Sequence, residues 1–322
     1  MTMKFEDFKK GMEDKVAEKV VDTFLRKSEV LQLMPFDNCV SPTGGSTLTY
    51  AYMQTLLPST AGFRALNTEY TSNEATMERK TADLKIFGGK FSMDRVLKQA
   101  EGKYNNMAFQ MEQKIAAAVS LLHYTMINGN STTTTEEFDG LDKMLVGTTT
   151  EFNADGSVDL STIDAIKSNA DQFYEMLRKL VRTTSADALL MNTEMIGKIE
   201  TVARILGYKT ETEEAFGKKV TSMDGVRFID LQNHYTVSEN VATSKPIVGI
   251  EGGLTDIYAV KFDVNEGFHG VTLTGNSGLS TYLPDFGKPG AVKDGEVEMV
   301  GATVLKKTQH AGVLRNVKIA AA

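Results

Sequence analysis

The chain has little of what stabilises or equips many other classes of protein. It has one cysteine, Cys39, which excludes a disulfide within the chain. No apolar run approaches the roughly 18 residues that a membrane helix needs. The first fifteen residues, MTMKFEDFKKGMEDK, are charged where a signal peptide would have its apolar centre. These features predict a soluble protein that is made in the cytoplasm, without a membrane segment.

Ligand-binding and catalytic patterns are also scarce. Four histidines stand singly, without the close spacing of metal ligands: His123, His234, His269 and His310. GNSGLS places Ser277 between glycines but misses the GxSxG pattern by one position. Neither GxGxxG nor GxxxxGK[ST] occurs, so a phosphate-cradling loop is not predicted. We expect no catalytic residue, no metal and no cofactor.

One segment, EFNADGSVDLST at 151–162, has two interpretations. Glu151, Asn153 and Asp155 occupy the first, third and fifth positions of a calcium loop, but the twelfth position is Thr162 instead of glutamate. The same letters form a tight turn followed by a helix cap. The pattern favours the turn and cap, with calcium as the alternative.

Composition is that of an ordinary globular protein with a sizeable core. The chain has 322 residues, a length that suggests two domains or one core with large excursions. Of these residues, 41% are hydrophobic. The 35 basic and 42 acidic residues give a net charge of −7, which argues against a dedicated nucleic-acid binder.

Hydrophobic periodicity predicts a mixed order of helices and strands. An amphipathic helix is expected over 4–31, either packed on its own domain or docked on a partner, followed by an extended arm at 37–50. The strongest helix prediction is 101–127, with Gly129 as its left-handed cap, and another helix at 161–183 should begin with Ser161 or Thr162 as its cap. Further along, the pattern predicts a strand at 188–191, a helix at 193–206, strands at 226–231, 246–250 and 257–264, and a last strand pair at 297–305 and 312–319.

The stretch from Gly62 to Leu97 resembles two strands and a turn, yet it has too few apolar residues for a core of its own. Gly88–Gly89 within the second strand predicts a bulge or a change of direction. The base of this hairpin should rest on a core while residues 67–80 project. An exposed hairpin of this kind needs a neighbouring subunit to cover it, so we expect an inter-subunit contact at Asn67, Glu69, Glu74, Glu78, Arg79 and Lys80.

These segments together resemble a tailed-phage major capsid protein of the Hong Kong 97 type, from about residue 30 to the end. The pieces that carry the resemblance, in the family's order, are 64–97, 107–128, the INGN…FDGL segment at 127–141, ALLMNTEM at 188–195, MDGVRFIDL at 223–231, DIYAVKFDV at 256–264 and 297–314. The resemblance implies an α+β Hong Kong 97-type capsid fold with four parts. These are an N-terminal helix and arm (1–54), an extended loop hairpin (55–92), a peripheral domain with a long spine helix (93–184 and 291–322) and an axial domain (185–290).

The resemblance also implies a function. Members of the family assemble as pentamers and hexamers into an icosahedral shell that encloses double-stranded DNA. It implies a portal as a partner, a decoration protein as a further option, and DNA enclosed without specific binding. The type member carries a long N-terminal scaffold segment that is later removed, whereas only about 30 residues precede the arm here, so we expect a separate scaffolding protein or none. The type member crosslinks a loop lysine to an asparagine, but Lys80, Lys85 and Asn316 cannot be matched to that chemistry. The alternatives are an encapsulin-like compartment for cargo enzymes and, less in keeping with the missing motifs, an enzyme that uses the scattered histidines and Ser277.

Overall fold

The computed structural model describes residues 28–321 apart from 42–46, 97–105, 208–210, 216–217, 224, 239–240 and 275–278. Most of the helix predicted at 4–31 lies outside the described residues. In the described part the helices are α1 (Glu29–Leu33), α2 (Asn106–Asn128), α3 (Leu141–Leu145), α4 (Ile163–Thr184) and α5 (Thr193–Leu206), with a 3₁₀ turn at Thr308–His310. The strands are β1 (Phe36–Val40), β2 (Thr49–Leu57), β3 (Thr76–Asp83), β4 (Lys85–Asp94), β5 (Glu151–Asn153), β6 (Ala188–Met191), β7 (Glu211–Ala215), β8 (Lys218–Met223), β9 (Val226–Asp230), β10 (Asn233–Ser238), β11 (Val241–Pro246), β12 (Ile250–Glu251), β13 (Leu254–Val260), β14 (Phe268–Leu273), β15 (Leu279–Tyr282), β16 (Val292–Leu305) and β17 (Ala311–Lys318).

The first sheet is organised around the long strand β16. One edge of β16 pairs with β4 over ten residues, from Val292↔Asp94 to Gly301↔Lys85. Two further strands, β15 and β14, also pair with β16, and β1 adds to β14 in parallel. The helix α2 packs on this sheet through the apolar stripe predicted from the sequence, which includes Ile115 and Met126, each 1% exposed.

The second sheet lies between two cores. Its strand order is β5-β17-β13-β6-β9-β8-β7, with β12 added to β13. All four residues of β6 are buried: Ala188 and Leu190 face the core that contains α2, whereas Leu189 and Met191 face α4 and α5. A strand covered on both faces is apolar throughout because neither face meets water.

The helices α4 and α5, on the outer face of this sheet, begin at capping side chains. Thr162 caps α4 by accepting a hydrogen bond from the Ala165 amide at 3.2 Å, and Asn192 caps α5 through the Met195 amide at 2.8 Å. Gly207 ends α5 with a left-handed backbone, φ 76°. The turn and cap predicted for 151–162 are therefore confirmed, since Asp155 and Gly156 form the turn with positive φ.

Four predictions about local structure are wrong. β4 keeps its register through Gly88 and Gly89 without a bulge, and these glycines instead let β16 approach: a Cβ on Gly88 would lie 1.9 Å from the Val297 carbonyl oxygen. Gly129 has no left-handed backbone, and a Cβ there would lie 2.3 Å from the Phe138 carbonyl oxygen. Residues 247–249 lie in a bend between β11 and β12 instead of a strand. The last two strands are not a pair, because β16 belongs to the first sheet and β17 to the second.

The hairpin also differs from its prediction. Its two strands are β2 and β3, paired from Thr49↔Asp83 to Leu57↔Thr76, so the segment 62–75 is a loop between them. The strand β4 belongs to the body of the protein. The predicted projection beyond the base is retained, because every residue from Leu57 to Arg79 is exposed.

Candidate subunit interface

The hairpin β2–β3 and the loop 58–75 form one exposed projection, called here the extended loop. In this projection β3 buries little: its first four residues are exposed, and only two later residues are half-buried. A two-stranded hairpin is marginally stable by itself in water. The projection therefore depends on what holds its base and on what covers its tip.

The base of the extended loop is held by three side chains of β2. The Tyr50 hydroxyl donates to Asp37 at 3.0 Å, the Tyr52 hydroxyl donates to the Leu305 carbonyl at 3.3 Å, and the Gln54 amide donates to the Lys306 carbonyl at 3.0 Å. Burial raises the pKa of Tyr52. Tyr50 also joins a small core on this side of the first sheet, so the base has a fixed direction relative to the body.

The tip of the extended loop makes contacts within itself. The Arg64 guanidinium donates to the Thr68 carbonyl at 3.2 Å and lies 5.3 Å from the centre of the Tyr70 ring. The backbone amide of Thr60 donates to the Asn73 side chain at 3.2 Å across the loop. Asn67 adopts a left-handed backbone, φ 65°, which asparagine tolerates better than most residues. These contacts shape the tip without burying it.

Apolar side chains are concentrated on this projection. Phe63 is 109% exposed and Leu66 is 88% exposed, and four more large apolar side chains of the loop are more than half exposed: Met53, Leu57, Tyr70 and Met77. Soluble monomers rarely show a large apolar patch unless another molecule covers it. The arrangement is suited to binding a partner surface, with the apolar residues as anchors.

The predicted contact residues all lie on the extended loop, but they do not form one cluster. Asn67, Glu69 and Glu74 lie in the loop and are exposed. On β3, Lys80 pairs with Glu78 at 2.8 Å, and Arg79 is an exposed neighbour. Sequence reasoning chose the charged residues and missed Phe63 and Leu66. Apolar residues without helical or strand periodicity, within the turn-rich segment GFRALN, are the signal that could have identified them.

In the body of the protein, a network of ion pairs links α3 to strands of the second sheet. Arg315 of β17 binds Glu151 of β5, Asp142 of α3 at 2.5 Å and Asp256 of β13 at 3.2 Å. The Gly147 amide, followed by Arg315, lowers the pKa of Glu151. Burial raises the pKa of Asp256 despite Arg315. One guanidinium therefore joins three carboxylates from separate elements, an arrangement that locks α3 against the second sheet. It also occupies Glu151, the first position of the calcium alternative.

The four histidines have structural surroundings. His123 lies 2.7 Å from Ser28, which also caps α1, and His234 lies 3.1 Å from Ser120 and stacks on Tyr124. Burial lowers the pKa of His234, His269 and His310. In the described part of the chain, no three His, Cys, Asp or Glu side chains converge on a possible metal position. Ser277, named for the enzyme alternative, lies outside the described residues.

Within the ranges that the structure describes, every helix is too short or too polar to cross a bilayer.

The sequence matches no family model and shows no significant match to a curated protein. Its structure, in contrast, resembles solved shell proteins over nearly its full length. The encapsulin SrpI in its holo complex from Synechococcus elongatus PCC 7942 aligns with a TM-score of 0.59 at 12% identity, covering 90% of this chain and 87% of that one. The capsid of a native GTA particle aligns at 0.58 and 12% identity, covering 91% and 90%. Mycobacterium phage Ogopogo aligns at 0.55 and 16% identity, covering 89% and 91%.

The chain has the Hong Kong 97-type capsid fold. The resemblance implied a spine helix over 107–128, where α2 lies, and an extended loop at 55–92, whereas the exposed hairpin of this structure is β2–β3 with its loop, 49–83. At such low identity the match concerns architecture: equivalent helices and strands are built from different residues. Among the described residues, the loop 58–75 joins none of the buried clusters, and its Phe63 and Leu66 leave most of their apolar surface uncovered.

Proposed function

We propose that this chain is the major capsid protein of a tailed bacteriophage, a structural protein without catalytic activity. It would assemble as pentamers and hexamers into an icosahedral shell, the virion capsid, after synthesis in a bacterial cytoplasm. The observation that carries the proposal is an extended loop with exposed Phe63 and Leu66 on a fold found in shells.

The chemistry of the extended loop supports assembly with copies of the same chain. A loop that projects from one subunit and binds a different surface on the next is a heterologous contact, and such contacts form rings when the rotation closes. Asn67, Glu69, Glu74, Glu78, Arg79 and Lys80 would surround the apolar anchors as a polar rim. A rim of this composition adds selectivity while the buried aromatic and aliphatic residues supply most of the affinity.

We assign the parts of the fold to positions in the shell. Residues 1–48 would form the N-terminal helix and arm, and 49–83 the extended loop, in place of the predicted 1–54 and 55–92, because β2 pairs with β3 whereas β4 joins the body. The peripheral domain would comprise 93–184 and 291–322, and the axial domain 185–290 would point towards the five- and six-fold centres. In the subunit, β5 and β17 belong to the same sheet as β6 and β9, and α4 packs on that sheet, so the two proposed domains share a continuous core.

The enclosed genome and the accessory partners follow from the same proposal. A net charge of −7 suits a wall that contacts packaged double-stranded DNA without binding it tightly, since each phosphate contact would add affinity. A portal, a separate scaffolding protein and a decoration protein are the expected partners. The second candidate function is an encapsulin-like compartment, favoured by the alignment with SrpI at a TM-score of 0.59.

The test is expression of the chain alone, with particle mass measured by light scattering and negative-stain microscopy of the same fraction. Shells, or tubes and sheets of capsomers, are expected. Addition of a candidate scaffolding protein extends the test if only small oligomers form; persistent monomers or dimers would contradict the proposal. Co-purification of a host enzyme inside closed shells would instead favour the compartment.

A matched variant examines the role of the loop. Replacing 59–74 with an Asn-Gly turn retains the pairing of Leu57 with Thr76 and the base contacts of Tyr50 and Tyr52. We expect folded subunits that do not form stable particles. Normal particles from this variant would show that the extended loop does not hold the shell together.

A further inference from the structure

One histidine is buried in the first sheet, beside the base of the extended loop. His269 on β14 is 0% exposed and lies opposite Val304 of β16. Residues opposite each other in an antiparallel pair point to the same face of the sheet. That face carries the small core that holds the base of the loop, called here the base core: Val40, Tyr50, Leu84, Val271, Val300 and Val304. His269 therefore belongs to the layer on which the extended loop rests.

The extended loop contacts this histidine directly. The ring of Tyr50, on β2, meets the His269 ring edge to face, with the two ring centres 6.0 Å apart. The Tyr50 hydroxyl donates to Asp37 of β1, and the Lys306 ammonium lies 5.5 Å from the centre of the Tyr50 ring. Because His269 is fully buried, water reaches it only when Tyr50 or another covering residue moves.

The hydrogen bonding of His269 suits the neutral ring alone. Its Nδ1 lies 3.2 Å from the Gly267 carbonyl oxygen, which can only accept, so Nδ1 carries the proton and donates. Nε2 then has a lone pair, and among the described residues no group forms a hydrogen bond with it. A proton on Nε2 would create a buried N–H group and a positive charge without an acceptor, which is unfavourable in a protein interior.

The charged groups that face His269 come from three other segments. Burial has the largest effect on the pKa of His269 and lowers it, and Lys306, which follows β16, lowers it further. The Gly267 carbonyl, Asp37 on β1 and Asp263 after β13 act in the opposite direction. The closed base core therefore disfavours a proton that an open one would take up.

We propose that protonation of His269 opens the base core and thereby releases the extended loop from the body at acid pH. The neutral ring fits the closed arrangement, whereas the protonated ring is stable where water can solvate it. A solvated histidine has a pKa of about 6.5, so each pH unit below that value favours the open form by up to about tenfold. Between pH 7 and pH 5 the accumulated effect is at most about 25-fold. The inference concerns the single subunit and does not depend on shell assembly.

The test is the protection of buried cysteines against dithiodipyridine, a thiol reagent that reacts at acid pH, in unassembled full-length subunits at pH 7 and pH 5. In a Cys39→Ala background, Val304→Cys reports on the body side of the base core and Leu84→Cys on the loop side. Each rate is divided by that of the urea-unfolded chain at the same pH, so the reactivity of the thiol itself cancels. Protection at both positions should be about tenfold lower at pH 5.

Two replacements of His269 show whether this residue is responsible. His269→Asn keeps a donor for the Gly267 carbonyl and His269→Phe keeps a ring, and neither side chain takes up a proton; each should reduce the pH dependence to less than about twofold. Val202→Cys, in the core that α4 and α5 cover, is the control position, and its protection should not depend on residue 269. Unchanged protection at pH 5, an undiminished pH dependence in both replacements, an equal loss at Val202, or a loss at Val304 without one at Leu84 would overturn the proposal.

Discussion

The apolar tip of the extended loop offers the most direct prediction about assembly. Phe63→Ala combined with Leu66→Ala removes two side chains that are 109% and 88% exposed and contact neither core. The subunit should therefore fold as before, with urea unfolding unchanged within about 0.5 kcal/mol. Any large effect should appear only when subunits associate.

The size of that effect follows from the area that a neighbour would cover. Burying one such side chain stabilises by about 1.5–3 kcal/mol, so the two together contribute about 3–6 kcal/mol to each loop contact. Since about 1.4 kcal/mol corresponds to a tenfold change in a binding constant, their loss weakens each contact by about two to four powers of ten. Every subunit contributes one loop, so the concentration at which particles form should rise by a comparable factor.

The assay is the concentration dependence of light scattering under assembly conditions. Val146→Ala with Ile163→Ala is the matched control, because these residues are 65% and 63% exposed but lie on the body of the subunit. The control should shift the critical concentration by less than about tenfold. A shift in the Phe63 and Leu66 variant no larger than that of the control would refute the assignment of the tip as the anchor.

Three further predictions concern the stability of the subunit and are measured by urea unfolding of unassembled chains. Arg315→Met leaves three carboxylates without their counter-charge, so it should cost about 3–5 kcal/mol at pH 7. The cost should be smaller at pH 5, because burial raises the pKa of Asp256 and that carboxyl takes up a proton more readily once Arg315 is gone; an equal cost at both pH values would mean that packing, not charge, is lost. Gly88→Ala forces a Cβ to within 1.9 Å of the backbone of β16 and should cost about 1–3 kcal/mol or more. Gly89→Ala meets only the flexible side chain of Lys114 at 3.1 Å and should be tolerated. Similar effects of the two substitutions would contradict the close-approach argument. Ser161 and then Lys318 lower the pKa of Asp159 to about 2, below its unfolded value of about 3.9, so its contribution is complete above pH 4 and is lost as the pH falls towards 2. Asp159→Asn should accordingly cost about 1 kcal/mol at pH 7, reduced by solvent screening, and the difference should shrink below pH 4.

The parts of the fold that the sequence predicted well are those specified by neighbours along the chain. The helix predicted at 193–206 has those bounds in the structure, because Asn192 and Gly207 provide its cap and its stop within the segment itself. The helix predicted at 161–183 was likewise correct to within two residues, with Thr162 as the cap. Apolar residues at steps of three and four also gave the buried stripe of α2.

The predictions that were wrong concern residues whose structure depends on contacts with other segments of the chain. Gly88 is required by the Val297 carbonyl, which is far away in sequence, and Gly129 by the Phe138 carbonyl, which the loop after α2 brings back to the end of the helix, so local rules suggested a bulge and a cap instead. β16 and β17 belong to different sheets, and the alternation of apolar and polar residues predicts a strand without indicating which strands it pairs with. In the extended loop, the charged residues were selected because charge marks a surface. Phe63 and Leu66 were overlooked since their only local signal is the lack of helical or strand periodicity within a turn-rich segment.

The continuity of β3 and β4 has a mechanical consequence. Only Leu84 separates the two strands, so tension applied at the tip of the extended loop passes directly into β4. Its ten-residue ladder with β16 has hydrogen bonds across the direction of pull, and such a ladder is loaded in shear: its bonds share the force and must fail together. Peeling from one end would break them singly at much lower force. In the proposed shell, where a neighbouring subunit would hold the loop, this ladder would carry part of the load that internal pressure places on the subunit.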